Sequence, residues 1–187
     1  MTDKQKQCLL AFFGCLTPGE IDGIWGPKSQ KALEGAQSRL GLPAGPWEEG
    51  TEAALLERLP LGRLPQGDFW SGIRYFTREE FRCRCGSYHA PYCDGFPAEP
   101  DETLVRLADD IREHFGAPAI PSSGLRCPRH NADSGGVSNS RHLSGKALDF
   151  MVQGVSGQAL LSRVQADPRT RYAYLIDSGP WVHMDVN

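Results

Sequence analysis

The chain has 187 residues, of which 40% are hydrophobic and 23% charged, and its formal net charge is -3. These proportions are typical of a globular protein, and the length suits one medium domain or a small domain beside a medium one. The slight negative charge argues against nucleic acid as a partner, since binding to the phosphate backbone relies on positive charge. No apolar run approaches the ~20 residues that a membrane-spanning helix needs. We expect a monomer.

The first residues carry no convincing secretion signal. Residues 8–13 form an apolar patch, CLLAFF, that is too short for the hydrophobic part of a signal peptide and is followed by no small-residue cleavage site. We therefore expect synthesis in the cytoplasm without a signal peptide.

The first third of the chain contains a weak internal repeat. Two segments, 25–33 and 47–55, share a Trp, a Ser or Thr, an Ala and a Leu at equal spacing, and each reads as a turn followed by a helix start. An apolar helix precedes both. The pattern predicts a compact three-helix unit over about 4–59, which we assign to a small all-α domain at 1–60.

Residues 20–33 carry the pattern D-G-x-x-G-x-x-[ST]-x-x-A-L. This pattern resembles the three-helix peptidoglycan-binding domain found on many cell-wall hydrolases. The resemblance implies that Asp22 and Trp25 contact the cell wall. Alternatively, Asp22, Gly23 and Gly26 serve only to form the loop, whether or not glycan binds.

A second domain follows at 74–187, after a Pro/Gly-rich stretch that we assign to a linker at 61–73. Thr77 and Glu80 form a capping-box pattern that predicts a short helix. Apolar residues at three- and four-residue steps predict a helix over 100–116, ended by Gly116. Alternation and turn residues predict the following strands and a further helix: strands over 119–122, 146–152, 172–176 and 181–186, and a helix over 156–166. We therefore expect an α+β domain with a small, mostly antiparallel sheet.

Six cysteines leave two interpretations open. Cys83, Cys85 and Cys93 could bind a structural zinc ion together with His89, or one of these cysteines could form a disulfide with Cys127. Two further cysteines stand apart from this group in the sequence, and we interpret them as small buried apolar side chains: Cys8 and Cys15.

Two histidines and an aspartate supply a possible metal site. Asp149 falls in a predicted strand, His142 in the loop before it, and His183 in the last strand, while Gly145 allows the intervening chain to turn sharply. If the two strands are neighbours, the three side chains meet on one face of the sheet. Two imidazoles and one carboxylate are a ligand set that catalytic zinc uses when it keeps a position open for water.

The motifs around these residues are S-x-H-x-x-G-x-A-x-D over 140–149, W-x-H-x-D over 181–185 and S-G-x-R-C-P-x-H-N over 123–131. Together they resemble the zinc D-Ala-D-Ala carboxypeptidases of peptidase family M15, which share their fold with the hedgehog signalling domain. The resemblance implies a hedgehog/DD-peptidase-like fold and a Zn²⁺ cofactor. It implies His142, Asp149 and His183 as the zinc ligands.

Arg126 is our candidate for stabilising a developing oxyanion or for holding the terminal carboxylate of a peptide, because its charge is fixed. Ser140 is a further candidate substrate contact. Several family members place a Glu or Asp general base three residues before the last histidine ligand, but that residue here is Pro180. Asp185 is therefore the first candidate base and Asp177 the second, while Asp185 could instead orient an imidazole.

These observations predict a zinc peptidase that hydrolyses peptidoglycan stem peptides at the bacterial cell wall, as a D-Ala-D-Ala carboxypeptidase or an endopeptidase. The N-terminal unit would tether it to peptidoglycan, its expected partner. Without a signal peptide, a phage or prophage endolysin is one expectation. The alternative is a non-catalytic wall-binding or virion structural protein that retains the zinc site.

Overall fold

The structure, a computed structural model, describes residues 1–58, 68–96 and 98–187. Regular elements within these residues are seven α-helices, three 3-10 turns and one four-stranded sheet. The helices are α1 Asp3–Phe12, α2 Pro27–Leu40, α3 Glu49–Glu57, α4 Cys85–Tyr88, α5 Glu102–Phe115, α6 Pro128–Asp133 and α7 Gly157–Gln165. The strands are β1 Ala119–Ser123, β2 Ala147–Val152, β3 Thr170–Leu175 and β4 Val182–Val186. The 3-10 turns are Pro18–Glu20, Phe69–Gly72 and Arg78–Phe81.

Helices α1 to α3 occupy the region predicted as a three-helix unit. Thr2 caps α1 through a capping box with Gln5, and Gly41 ends α2 in the left-handed conformation at φ +65°. The two Trp-containing corners of the sequence repeat meet, since the rings of Trp25 and Trp47 lie edge to face at 5.5 Å. The repeat therefore has a packing role.

Most of the predicted linker, 61–73, lies outside the described residues. Its last part is structured, because Phe69–Gly72 forms a 3-10 turn and Phe69 is buried against the core of the second region. Thr77 and Glu80 make the predicted capping box, which starts the 3-10 turn Arg78–Phe81.

The sheet is antiparallel throughout, with the strand order β1-β2-β4-β3. Helices α5 and α7 cover one of its faces. Successive side chains of a strand point to opposite faces, so Leu148, Phe150 and Met184 enter the core with these helices. Asp149 and His183, one residue out of step, point to the other face. The α+β class predicted from the sequence is confirmed.

A second hydrophobic core joins the N-terminal helices to the cysteine-containing segment. Leu9 and Leu33 lie in the same buried cluster as Cys93, Phe96 and Leu125. Polar contacts reinforce the junction: Lys4 Nζ donates to the carbonyl of Pro91 at 2.7 Å. The N-terminal helices therefore pack directly on the α+β region. Within the described residues, no helix is long and apolar enough to cross a membrane.

Candidate metal and active site

Three predicted ligands converge on the open face of the sheet. Asp149 on β2 and His183 on β4 are direct register partners, because these strands are antiparallel neighbours. The Nδ1 atom of His183 lies 2.6 Å from Asp149 Oδ1, and His142 Nε2 lies 3.3 Å from the same oxygen. All three ligand atoms fall within 4.8 Å of one another. Two nitrogens and one carboxylate oxygen gathered this closely are a set of donors that could hold a single divalent metal ion.

The turn before β2 fixes the orientation of His142. Its Nδ1 lies 2.8 Å from the carbonyl oxygen of Gly124. A carbonyl only accepts, so Nδ1 carries the proton and Nε2 keeps its lone pair for a metal. Gly145 closes the turn at φ +65°, and its carbonyl accepts from the amide of Asp101 at 2.9 Å.

Asp149 is held as an anion in a largely buried position. Burial opposes ionisation, but hydrogen bonding with His142 and then His183 outweighs it and keeps the carboxyl pKa well below its ordinary range. The second oxygen accepts from Arg126 Nη2 at 2.6 Å. Arg126 is itself fixed, since its Nε donates to Ser123 Oγ at 2.7 Å. Asp149 can therefore offer one oxygen to a metal while the other is hydrogen-bonded.

Asp185 shares the strand face of His183, as the two-residue spacing predicts. It is 2% exposed, and both of its oxygens are held by Arg171, with Nε at 2.7 Å and Nη2 at 2.6 Å. Its Oδ2 lies 3.7 Å from His183 Nε2. Asp185 therefore lies beside the imidazole edge that faces away from Asp149.

Asp177 occupies a different environment. It is exposed in the turn between β3 and β4, at φ +50°, and is not among the residues that line the cavity over the candidate ligands. Pro180, at the position where the resemblance led us to look for a base, approaches Gly157 at the start of α7. Neither residue brings a carboxylate to the ligand cluster.

A cavity of about 500 Å³ opens over the three ligands. Arg126, Ser140, Arg141 and Tyr174 are among the residues lining it. Ser140 also holds the ligand turn, because its Oγ accepts from the amide of His142 at 3.3 Å. The cavity thus combines a metal-ligand cluster with guanidinium groups.

Sequence reasoning missed two contributors on β3. Tyr174 stacks on His183 with ring centroids 4.8 Å apart. Although the residue as a whole is exposed, partial desolvation of its hydroxyl, followed by the nearby Asp149 charge, raises its pKa, so the hydroxyl stays protonated at neutral pH. Arg171 pairs with Asp185 across the strands. The two-residue spacing of Tyr172 and Tyr174 indicates from the sequence alone that both tyrosines lie on the same face of a strand. The pairing of Arg171 with Asp185 depends instead on the register of β3 against β4.

The N-terminal candidates lie in a tightly bonded loop. Asp22 Oδ1 accepts from Gln7 Nε2 at 2.8 Å and from the amide of Ile24 at 2.9 Å. Trp25 is partly buried against Trp47. These contacts give both residues a structural role in forming the loop.

The cysteine prediction is only partly matched by the structure. Cys83, Cys85, Cys93 and Cys127 come together, whereas His89 is exposed and lies 3.5 Å from Ser134 Oγ. This second cluster is separate from the ligands on the sheet.

A family model for Peptidase M15 matches residues 74–185, which is more than half of the chain and includes every residue of the ligand cluster. A search of curated proteins found no match. The matched range begins just after Ile73 and ends at Asp185, so it includes β1 to β3 and all of β4 except its last residue, Val186. The chain belongs to the peptidase M15 family.

Proposed function

We propose that the protein is a zinc-dependent peptidase that hydrolyses peptidoglycan stem peptides, as a D-Ala-D-Ala carboxypeptidase or an endopeptidase. The observation that carries the proposal is the ligand cluster of His142, Asp149 and His183 beneath an open cavity in a chain of this peptidase family. In this proposal the zinc ion is held by His142 Nε2, an Asp149 oxygen and His183 Nδ1. Zinc at such a site supplies a Lewis acid and lowers the pKa of a bound water.

Arginines give the cavity affinity for carboxylates. Arg126 uses Nε and Nη2 for Ser123 and Asp149, and among the described residues its Nη1 has no hydrogen-bond partner. Arg141 lines the same cavity, and its side chain likewise has no ion pair in that part of the chain. Stem peptides carry a C-terminal carboxylate and acidic side chains. We propose that Arg126 orients the scissile carbonyl or the terminal carboxylate, and that Ser140 contacts the peptide beside it.

Asp185 is proposed to act beside His183, either by orienting its imidazole or as the general base. Its burial beside His183 and its two bonds to Arg171 support a role in orienting the imidazole. Asp185 also lines the cavity, so it is better placed than Asp177 to accept a proton from water. Each Asp185 oxygen has a second lone pair besides the one that accepts from Arg171, so this pairing is compatible with either role. Asp185 Oδ2 lies 3.7 Å from His183 Nε2, and a small approach would complete the orienting hydrogen bond. We therefore propose that Asp185 is mainly a positioning residue.

The N-terminal helices are proposed to direct the peptidase to the wall, with Asp22 and Trp25 as wall contacts. Both regions of the chain line a neighbouring cavity of about 750 Å³, which supports the proposal that they bind the wall together. Its lining includes Phe12 and Pro18 from the N-terminal region and Ser140 and Arg141 from the loop that carries His142. A glycan strand held along this cavity would present its peptides to the ligand cluster. A phage or prophage lysis role is compatible with this arrangement.

A second candidate is a wall-binding or virion protein that keeps the metal but does not cleave. The specific observation in its favour is the absence of an acid at Pro180 together with the engagement of Asp185 by Arg171. Metal content does not distinguish the two candidates, because both retain the three ligands.

Turbidity of purified cell walls distinguishes them. We expect the zinc-loaded protein to clear susceptible walls, a chelator to stop clearing, and added zinc to restore it. Mass spectrometry of the released muropeptides then identifies the bond. Binding to walls without any peptide cleavage, by folded and zinc-loaded protein, would support the second candidate and refute the first.

A further inference from the structure

Four cysteines from three chain segments meet in the core between the N-terminal helices and the peptidase region. Cys83 precedes α4, Cys85 begins it, Cys93 follows in the next loop, and Cys127 precedes α6. Their four sulfur atoms all lie within 4.8 Å of one another, and each residue is at most 9% exposed. The geometry points to a second, structural zinc site formed by these four thiolates.

The sulfur separations suit one tetrahedral ion. At a Zn–S distance of about 2.3 Å, the sulfurs of a tetrahedral site lie roughly 3.8 Å apart. Cys85 Sγ and Cys93 Sγ are 3.6 Å apart. Four protein ligands complete the coordination of zinc, and their burial leaves no route for a substrate. The site is therefore structural, in contrast to the three-ligand cluster on the sheet.

Backbone amides point at the sulfurs, as a thiolate cluster requires. The amide of Tyr92 donates to Cys85 Sγ at 3.2 Å, and the amide of Cys127 donates to Cys83 Sγ at 3.2 Å. The amide of His130 donates to Cys127 Sγ at 3.4 Å. Such N–H donors favour the thiolate over the thiol. Buried thiolates need a cation to compensate their charge, which zinc supplies.

The surrounding segment also needs a crosslink. Among the described residues between Cys85 and Glu102, 85–96 and 98–102, the only regular element before α5 is the four-residue helix α4, so few regular backbone hydrogen bonds hold these residues together. A zinc ion would tie it to Cys127. That cysteine directly follows Arg126, and the same turn presents the Gly124 carbonyl to His142. The inferred site would thus anchor the loop that orients the catalytic ligands.

Two other cysteines help to define the site. Cys8 on α1 is buried in the same hydrophobic cluster but is not one of the four converging sulfurs, and its Sγ lies 3.9 Å from the carbonyl oxygen of Tyr92. Cys15 lies beyond the end of α1, with its Sγ 3.7 Å from the carbonyl oxygen of Phe13. Cys15 is therefore the matched control for a loss of one thiol.

The test uses the full chain, produced with added zinc and purified under a reducing agent without chelator. Zinc content and X-ray absorption are measured for the wild type, for the double variant His142→Ala/His183→Ala, and for Cys93→Ser and Cys15→Ser. We expect about two zinc ions per wild-type chain and about one in the double variant, the latter with a pure sulfur shell near 2.3 Å. Cys15→Ser should match the wild type, and Cys93→Ser should lose the sulfur-bound ion.

The double variant keeps the test decisive even if Cys93→Ser does not fold, because its cysteines are intact. A folded double variant that binds no zinc would overturn the inference. So would bound zinc without a sulfur shell, or an intact mass lower by about four daltons, which would show two disulfides in place of the thiolates. Each of these results leaves the proposed peptidase activity to be judged separately, by the wall-clearing assay.

Discussion

Gly145 offers a sharp test of how the ligand turn is built. Its φ of +65° is in the left-handed region, and a Cβ added there would lie 2.8 Å from the carbonyl oxygen of Glu99 and 3.0 Å from Pro100 Cα. A left-handed alanine costs about 1–2 kcal/mol. Overpacking against backbone, which cannot rotate away, adds about 1–3 kcal/mol. Gly145→Ala should therefore lower the free energy of unfolding by about 2–5 kcal/mol.

Gly154→Ala is the matched control. Gly154 also has a positive φ, +76°, but no atom lies within 4 Å of the Cβ that would be added. Its substitution should cost only the conformational part, about 1–2 kcal/mol. Urea unfolding of both variants measures the difference, provided that the m-values agree with the wild type. Gly145→Ala should also weaken zinc binding, because the turn carries His142. Equal losses of stability in the two variants would refute the close-packing argument.

Three further predictions concern charged groups. If the Asp185 carboxylate orients His183, Asp185→Asn should lower the zinc affinity about 10- to 100-fold. If zinc affinity is unchanged and kcat falls sharply, Asp185 is instead the general base. Arg126→Lys keeps the positive charge but loses the planar guanidinium with its paired N–H donors. We therefore expect kcat/KM in a muropeptide assay to fall about 10²-fold while the zinc content is retained. An unchanged kcat/KM would exclude the proposed role of Arg126. Hydrogen bonds from Arg169, opposed by burial, hold the pKa of the Asp167 carboxyl below its ordinary range. The ionised carboxylate therefore stabilises the folded state at pH values above its unfolded pKa of about 3.9. This stabilisation is lost as the pH falls and the carboxylate becomes protonated. The stability gap between the wild type and Asp167→Asn should therefore be widest near neutral pH and narrow in acid; a gap independent of pH would contradict this.

The strands and the positions of the candidate ligands along them could be predicted because they depend on local patterns, whereas the ligand set as a whole was implied by the family resemblance. Alternation placed Asp149 and His183 on strands, and period-two geometry put Asp185 on the same face as His183. Gly116 and Gly145 marked a helix end and a sharp turn, and both have positive φ in the structure. These features require only neighbouring residues to be known.

The remaining features depend on contacts between distant segments. The Arg171–Asp185 pair follows from the register of β3 against β4, which the sequence pattern leaves open. His89 is near the cysteines in sequence but exposed in the structure, whereas Cys127 joins them through the packing of α6. Cys8 stood apart in the sequence and yet lies in the same buried cluster, because α1 packs against this region.

The central claim is that the metal site on the sheet catalyses the hydrolysis of peptides. Its most direct test is mass spectrometry of purified muropeptides incubated with zinc-loaded wild type and with the matched variant Asp149→Asn, after circular dichroism has shown that both are folded. The wild type should release peptide fragments, each accounted for by hydrolysis of one bond, and the variant should release none. Intact muropeptides after incubation with folded, zinc-loaded wild type, or equal cleavage by Asp149→Asn, would contradict the claim.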